Sequence, residues 1–376
     1  MVRVLNIVLN NFTNDSRVVK TCNSLNLHGY DVDILALHGD GLAETEFFHD
    51  LKVTRLKLLT KKLPKWKTIQ IIKYFEFVLR ALVRYRNRYD VVHCNDLNAL
   101  PIGYLIKKFS KRPVKIVYDC HEYETERDGM SNTSKKILKF FEKRLIKQVN
   151  QVLCVSNEIA NCYVTDYNIV KPKLVLNCPN FSEKPKQNLF REALNIRSDQ
   201  KIFLYQGGLK SGRGIELLVK AFSQLRNDNN VLVCMGVGPL DKLIKEASEK
   251  YKTIFFHPAV KSDALLNFTS SADYGILFYE DTCLNHRYCS PNKMFEYLMS
   301  GLPVLTSNLY EMKRLVELEC VGIVASENTV EGFKQGLKNS LNKNYAEVQK
   351  NVFSARKKFC WEEQEKVLFE AYESIK

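Results

Sequence analysis

One rhythm governs the chain: short apolar runs alternate with helix-patterned stretches, and the pattern plays out twice. From residue 2 the order is strand (VRVLNIVLN), helix (DSRVVKTCNSLNLHG, closing on Gly29) and strand (YDVDILAL). YDVVHC (89–94) and VKIVYDCH (114–121) follow, separated by the helical LNALPIGYLIKKF. QVLCVS (151–156) and KLVLNCPN (173–180) come after a basic helix, 134–148. Continuous apolar runs suit strands buried on both faces, and their alternation with helices predicts a parallel sheet with helices on each side. A polar stretch, SEKPKQNLFREALNIRSDQ (182–200), breaks the rhythm, which restarts with KIFLYQG, VLVCMGVG, TIFFHPA, YGILFY and PVLTS. The sequence thus predicts an α/β chain of two doubly wound, Rossmann-like domains, 1–181 and 182–355. A last helical segment, 356–376, has no strand after it. Open sheets of this kind bind ligands beyond the carboxyl ends of their strands, so a cleft between two such edges is the expected site.

The totals agree. At ~150 residues per domain, 376 residues make two or three domains. The 45% hydrophobic and 26% charged content is ordinary for packed cores. The apolar start, Val4 to Leu9, is too short for a signal-peptide core, and no apolar run approaches the ~20 residues of a membrane span. Eleven cysteines include no C-x-x-C pair, and Cys94, Cys154 and Cys234 lie inside apolar runs. They read as buried, reduced thiols of a cytosolic protein, with no metal site expected. The net charge of +14 is uneven: residues 1–180 hold 29 Lys and Arg against 18 Asp and Glu, the remainder 27 against 24. A basic first half suits an anionic membrane surface, an acidic substrate or nucleic acid. Nothing resembles a zinc finger, an RNA-recognition sheet or a helix-turn-helix, so nucleic acid is not expected.

Three turns of the second domain carry the chemistry. In CSPNKMFEYLMSGLPV (289–304), Ser290 is the expected N-cap, Pro291 the first helical residue, Gly301 the left-handed stop and Pro303 the block. The amides of Asn292 and Lys293 would face outward at the positive end of the helix dipole, an anion site. Glu296 stands five residues on from Pro291, ~7 Å along the axis. That separation suits a diphosphate at the helix start and a ribose at its second turn. LYQGGLKSGRGIELL (204–218) supplies Gly207 and Gly208 for close backbone approach and Arg213 as a phosphate-matched fork. No G-K-[ST] follows, so it is not a Walker loop. MGVGPLDKL (235–243) adds Gly236 and Gly238. Arg213, Lys293 and the helix amides would neutralise a leaving diphosphate without a metal. The D-x-D of Asp31-Val-Asp33 opens a strand rather than ending one and reads as structural.

These stretches resemble the retaining GT-B glycosyltransferases of the group 1 or family-four type, which use nucleotide sugars. DSRVVKTCNSLNLHGYDV, YDVVHCNDLNALPIG, VYDCHEYE and VLCVSNEIA corroborate; YQGGLKSGRGIELLVKAF and SPNKMFEYLMSGLPVL are the more specific matches. The resemblance implies a donor site in the second domain, an acceptor site in the first, a last helix crossing back to the first domain, and retention of configuration. It implies that Glu296 holds the ribose hydroxyls and that Ser290, Pro291, Asn292 and Lys293 approach the donor sugar and phosphates. Arg213 takes the place of a diphosphate-binding lysine, and His121 reaches the donor sugar from the first domain. It also implies a setting in surface polysaccharide synthesis, while the reduced cysteines and basic helices suggest the cytoplasm, peripheral on the inner leaflet. Two positions depart from the family: Tyr288 stands where an acid often precedes Glu296 by eight, and Gly208 where an arginine is common.

Each residue also has a plainer role. Glu296 could pair with Lys293 on a solvated face. His121 ends an apolar strand, where a histidine can be structural or functional. Glu122 holds a loop or touches substrate. Asn11 and Arg17 follow the first strand, where Asp15 or Ser16 can cap the next helix. Asn95 and Asp96 are caps or acceptor contacts. Helix 68–88 sets Ile72, Phe75, Leu79, Leu82 and Val83 on one side and Lys73, Arg80, Arg84 and Arg88 on the other, with Lys61, Lys62, Lys65, Trp66 and Lys67 before it. KKILKFFEKRLIK (135–147) is similar. Both are docked helices with solvated charges, or they bind an anionic leaflet beside a lipid-linked acceptor. Three functions fit: transfer from a nucleotide sugar to a saccharide or lipid-linked acceptor, epimerisation of a nucleotide sugar, or non-catalytic binding. Tyr288 alone favours the last.

Overall fold

The computed structural model describes every residue except Asn14, His49, Lys65 and Asn227, so Lys65 of the basic stretch lies outside the described residues. The chain forms two compact units, Met1–Val175 with Glu365–Lys376, and Leu176–Gln364.

The first unit is built on an eight-stranded sheet. Its strands are β1 (Arg3–Ile7), β2 (Asp31–Leu37), β3 (Thr45–Phe48), β4 (Leu51–Leu56), β5 (Val91–Asn95), β6 (Lys115–Cys120), β7 (Gln151–Cys154) and β8 (Lys173–Leu174). The order is β3-β4-β2-β1-β5-β6-β7-β8, parallel except for the antiparallel β3–β4 edge pair. The central strands are apolar throughout because helices cover both faces: Val4, Leu5, Ile7, Val92, Ile116 and Val117 are fully buried. The β3–β4 pair has no counterpart in the sequence reading. β3 lies at the sheet's edge with three of its four residues exposed, so no apolar run marks it.

The second unit has six parallel strands: β9 (Lys201–Gly208), β10 (Asn230–Val237), β11 (Ile254–Pro258), β12 (Tyr274–Leu277), β13 (Val304–Thr306) and β14 (Gly322–Val324). Their order is β11-β10-β9-β12-β13-β14. Side-chain alternation divides β9 between two cores: Ile202 and Leu204 pack with Met294, Phe295 and Leu298, while Phe203 and Tyr205 pack with Leu218 and Phe222. Both doubly wound sheets are as the sequence predicts.

The unit boundaries differ from the sequence-based ones. The segment after Val175 is tied to the second unit: Leu176 N donates to Gln364 Oε1, Trp361 N to Pro179 O, and Ser182 N to Met299 Sδ. At the other end, residues 356–358 complete helix Tyr345–Lys358, and only Glu365 onward belongs to the first unit. There helix Trp361–Glu373 is held by Ser24 Oγ on Glu365, 2.7 Å, and by His28 stacked on Phe369.

Helix Lys67–Tyr85 turns an unexpected face inward. It buries Phe77, Val78, Ala81 and Tyr85, while Ile72, Phe75, Leu79 and Val83 of the predicted apolar side are solvent-exposed. Helix Asn132–Leu145 likewise exposes Ile137, Phe140 and Phe141. Among the described residues no helix is long and apolar enough to cross a membrane.

Candidate active site

The second unit gathers its predicted residues at the carboxyl end of β9. Gly207, next to last in the strand, has φ +113, a conformation side chains resist, and the chain passes there over Lys293. Lys293 is buried, its Nζ 3.8 Å from the centre of the Tyr205 ring. Tyr205 donates its hydroxyl to Gly208 O, 3.0 Å, so the aromatic platform and the exposed loop hold each other. Arg213 lies over Tyr279, 4.4 Å from the ring centre. Burial, and next the Arg213 charge, pull the Lys293 ammonium down to about 7, against the opposing pull of Glu296. Two cationic groups thus crowd one glycine turn, the arrangement expected of a site that awaits an anion.

Glu296 is oriented from behind. Gln206 Nε2 donates to Glu296 Oε2 at 2.6 Å, and Thr269 Oγ1 donates to Gln206 Oε1 at 2.8 Å. Tyr297 ties the same helix to the sheet: its hydroxyl is 3.0 Å from Leu204 O and accepts Gln206 N at 3.1 Å. Helix Asn292–Met299 is capped differently from the prediction. Pro291 (φ −70, ψ 141) is the N-cap and Ser290 precedes it. Proline's fixed φ fits, but its extended ψ delays the helix by one residue. Ser290 is buried, and its Oγ has no hydrogen-bond partner among the described residues. Asn292 and Lys293 occupy the first turn, where amides lack intrahelical acceptors.

Gly236 and Gly238 carry a packing role. A Cβ on Gly236 would lie 1.9 Å from Gly207 O, and one on Gly238 2.3 Å from Leu209 O. The Gly238 amide already donates to Asp241 Oδ1, 2.7 Å. These glycines let the end of β10 and the residue after it pack against Gly207 O and Leu209 O, a structural role that requires glycine by itself.

In the first unit the predicted residues separate. His121 follows β6, with Nε2 3.4 Å from Asp119 Oδ2 and Nδ1 3.7 Å from Asp96 Oδ2. Its backbone N–H donates to Asp96 Oδ1, 3.2 Å. Burial would lower its pKa, but Asp96 and Asp119 outweigh that and push it up to about 9. The two carboxylates thus favour the protonated form of His121. Asp96 holds this position from the left-handed region, φ +61, the backbone strain that collects at functional sites. Glu122 follows, half-buried. Buried Glu124, which the sequence reading passed over, is pushed up to about 8 by burial and by Asp96, against Arg127.

Arg17 and Asn95 are corrections. Arg17 is buried, with Nε and Nη2 on Asp119 and Nη1 on Val175 O. Asn95 is buried too, donating Nδ2 to Asn6 Oδ1 and Ile7 O. Both brace the sheet. Asn11 is exposed, its Oδ1 accepting from Thr13 and its carbonyl from Arg55. Asp119 itself was missed, as was His93, whose Nδ1 is 2.8 Å from Tyr372 Oη and whose Nε2 is 3.5 Å from Asp119 Oδ2. An acid in VKIVYDC and a histidine in YDVVHC were the available signal, since a polar residue inside a buried strand needs a partner. Burial would raise the Asp119 carboxyl, but Arg17 and His121 hold it well below the usual range. Among the described residues no group of three or more His, Cys, Asp or Glu side chains is arranged to hold a metal ion.

Residues 16–178 match the family model Glycosyltransferase Family 4, and residues 186–358 match Glycosyl transferases group 1. The chain is a glycosyltransferase of the group 1 and family-four type. It is 25% identical over 313 residues to an uncharacterized glycosyltransferase of Methanocaldococcus jannaschii, covering 79% of this chain and 76% of that one. The fold of this glycosyltransferase is GT-B. Over its whole length it resembles sucrose-phosphate synthase of Thermosynechococcus elongatus, with TM-score 0.81, 16% identity and 99% of that chain covered. Anabaena HepE in complex with UDP and glucose aligns with TM-score 0.74 at 13% identity, with both chains fully covered. The catalytic domain of Arabidopsis thaliana starch synthase IV, bound to ADP and acarbose, aligns with TM-score 0.73 at 13% identity, covering 100% of this chain and 99% of that one.

Proposed function

We propose that this glycosyltransferase moves a hexosyl group from a nucleotide sugar to a saccharide or lipid-linked acceptor, with retention, in glycan assembly. The observation that carries the proposal is Lys293 beneath the Gly207 turn, with Arg213 on the same Tyr279 ring and Glu296 fixed by Gln206 one helical turn away. In the proposed reaction the C1–O bond to the diphosphate breaks and a C1–O bond to the acceptor forms. The acceptor's hydroxyl proton passes to the departing diphosphate oxygen. Arg213, Lys293 and the first-turn amides of helix Asn292–Met299 meet the charge that develops on that oxygen, so the proposal includes no metal. Glu296 takes the ribose hydroxyls. Ser290 Oγ, buried without a partner among the described residues, is the group we assign to the donor's phosphate or sugar. His121 donates to the sugar as an imidazolium. For the acceptor side we retain Asn11, Asp96 and Glu122.

We place the activity at the cytoplasmic surface of an anionic membrane. The exposed apolar side chains of helices Lys67–Tyr85 and Asn132–Leu145 stand beside lysines and arginines of the same helices, and such faces enter the headgroup layer.

The deciding experiment incubates UDP-, GDP- and ADP-sugars with the protein, with and without acceptor saccharides, and follows nucleotide release and donor isomers. Release that depends on acceptor supports transfer. An isomer formed without acceptor would make the protein an epimerase, and no turnover of any donor would leave a binding module.

A further inference from the structure

The carboxyl edge of the first sheet carries a groove that the steps above leave unused. Leu9, Leu37 and Leu56, at or just beyond the ends of β1, β2 and β4, line it together with Phe77. Leu58 and Ile71 line it as well, and it encloses about 560 Å³. A wider hollow shares His38, Leu58, Lys61, Gln70 and Lys73 with it, so the two are continuous.

The groove is held open. Glu76 accepts the backbone N–H groups of Leu59 and Thr60, at 2.6 and 2.9 Å, and the Thr60 hydroxyl at 2.6 Å. One carboxylate on helix Lys67–Tyr85 thus pins the strap Leu59–Lys62 in place, and Arg80 Nε donates to its Oε1 as well.

Most polar groups on its lining are already engaged. Lys61 donates to Asp40, 2.6 Å, and the Tyr74 hydroxyl to Asn98 O, 2.9 Å. Lys73 donates to Lys61 O and Leu63 O, 3.2 and 2.8 Å. What remains for a ligand is chiefly hydrocarbon wall, a poor match for a bare sugar whose hydroxyls would lose water without gaining partners. The hydrogen-bond partners of Lys73 are neutral carbonyls, so its charge still favours an anion. Leu59 of the strap, and Leu63 and Trp66 after it, are exposed apolar side chains. One helix links the groove to His121: Asn98 lines the groove, and Asp96, at the start of that helix, holds the His121 N–H.

We propose that this groove binds the apolar part of an amphiphilic acceptor, a hydrocarbon chain joined through phosphate to the group that receives the sugar. The chain lies on Leu9, Leu37, Leu56 and Phe77, the phosphate lies beside Lys73, and the receiving hydroxyl points toward His121. This rests on the transfer reaction proposed above and names the acceptor class.

The test titrates the full-length protein with dodecyl phosphate below its micelle-forming concentration, and separately with inorganic phosphate. Leu58→Trp and Ile71→Trp fill the groove from partly or fully exposed positions, while Phe75→Glu and Leu79→Glu alter only the outward face of the helix. The wild type and the outward-face variants bind dodecyl phosphate saturably. The groove variants bind at least about tenfold more weakly, the loss expected when two or more methylenes are shut out. Inorganic phosphate does not compete. Equal binding by the groove variants, loss confined to the outward-face variants, or displacement by inorganic phosphate at concentrations no higher than the amphiphile's would overturn the assignment. UDP, GDP and ADP binding is measured on the same samples. Nucleotide binding with groove-independent amphiphile binding sinks the groove alone. No nucleotide binding at all sinks the transfer reaction, and with it the groove's role as an acceptor site.

Discussion

Arg17 grips Asp119 by both oxygens, Nε to Oδ2 at 2.9 Å and Nη2 to Oδ1 at 2.6 Å, across 102 residues of sequence. Both side chains are buried, so removing one strands the other's charge. Arg17→Met is expected to cost about 3–5 kcal/mol in urea unfolding, and pairing it with Asp119→Leu should recover much of that loss. Nucleotide affinity should be unchanged. Undiminished stability together with a raised acceptor KM would instead return Arg17 to the acceptor contacts.

His121 should make stability depend on pH in a definite direction. Its folded pKa, about 9, lies above the ordinary histidine value of 6.5, so its contribution is complete below 6.5 and is lost as pH rises through 9. The groups facing it are Asp96, Asp119, Arg17 and His93, and burial leaves His93 with a lowered pKa, neutral. Relative to wild type, His121→Gln should be destabilised by about 2 kcal/mol at pH 6, with the gap closing above pH 9. A gap that is constant with pH would show that His121 contributes by packing alone.

Lys293 should couple donor binding to proton uptake. In the free protein it titrates near 7, and a bound diphosphate would raise that value. Between the two values binding takes up a proton, so affinity falls as pH rises. From pH 7.5 to 9, nucleoside diphosphate affinity measured calorimetrically should weaken by up to about tenfold per unit, with heats that vary with buffer ionisation. Lys293→Met should bind weakly and flatten the dependence. A wild type equally flat would mean that Lys293 is already charged when the site is empty.

The exposed row Ile72, Phe75, Leu79 and Val83 should govern membrane attachment. In vesicle flotation with anionic lipid, Phe75→Glu with Leu79→Glu is expected to abolish binding. Charge reversal at Arg84 and Arg88 should weaken it more at low salt than at high salt. Binding to neutral vesicles as tight as to anionic ones would remove the electrostatic part of the proposal.

How much the sequence discloses depends on the distance between partners. The strands and the turn before helix Asn292–Met299 are local features, so apolar runs and capping residues reveal them. The β3–β4 pair stays hidden because Thr45–Phe48 has no buried face to leave a pattern. Arg17 and Asn95 look available because their partners, Asp119 and Asn6, are remote in sequence. The bond between His93 and Tyr372 spans 279 residues and cannot be read from either neighbourhood. Gly236 stays ambiguous for another reason: a strand pressed against a glycine turn and a strand presenting amides to an anion require the same residue.

Gln206 and Glu296 close the donor side. The Gln206 amide bonds Glu296 Oε2 at 2.6 Å and is itself fixed by Thr269, so the carboxylate is held in one orientation before any ribose arrives. Glu296→Ala should weaken the preferred member of UDP, GDP and ADP by about tenfold, roughly the loss of a charge-assisted hydrogen bond. Gln206→Leu removes only the brace and should cost less, a few-fold, without changing which base is preferred. Isothermal titration of the three nucleotides against wild type and both variants, with and without EDTA, measures all of this. EDTA should change nothing, because Arg213 and Lys293 meet the diphosphate charge. If Gln206→Leu matched Glu296→Ala, the glutamine would be a ligand contact in its own right, and if neither variant weakened any nucleotide, Glu296 would hold no ribose.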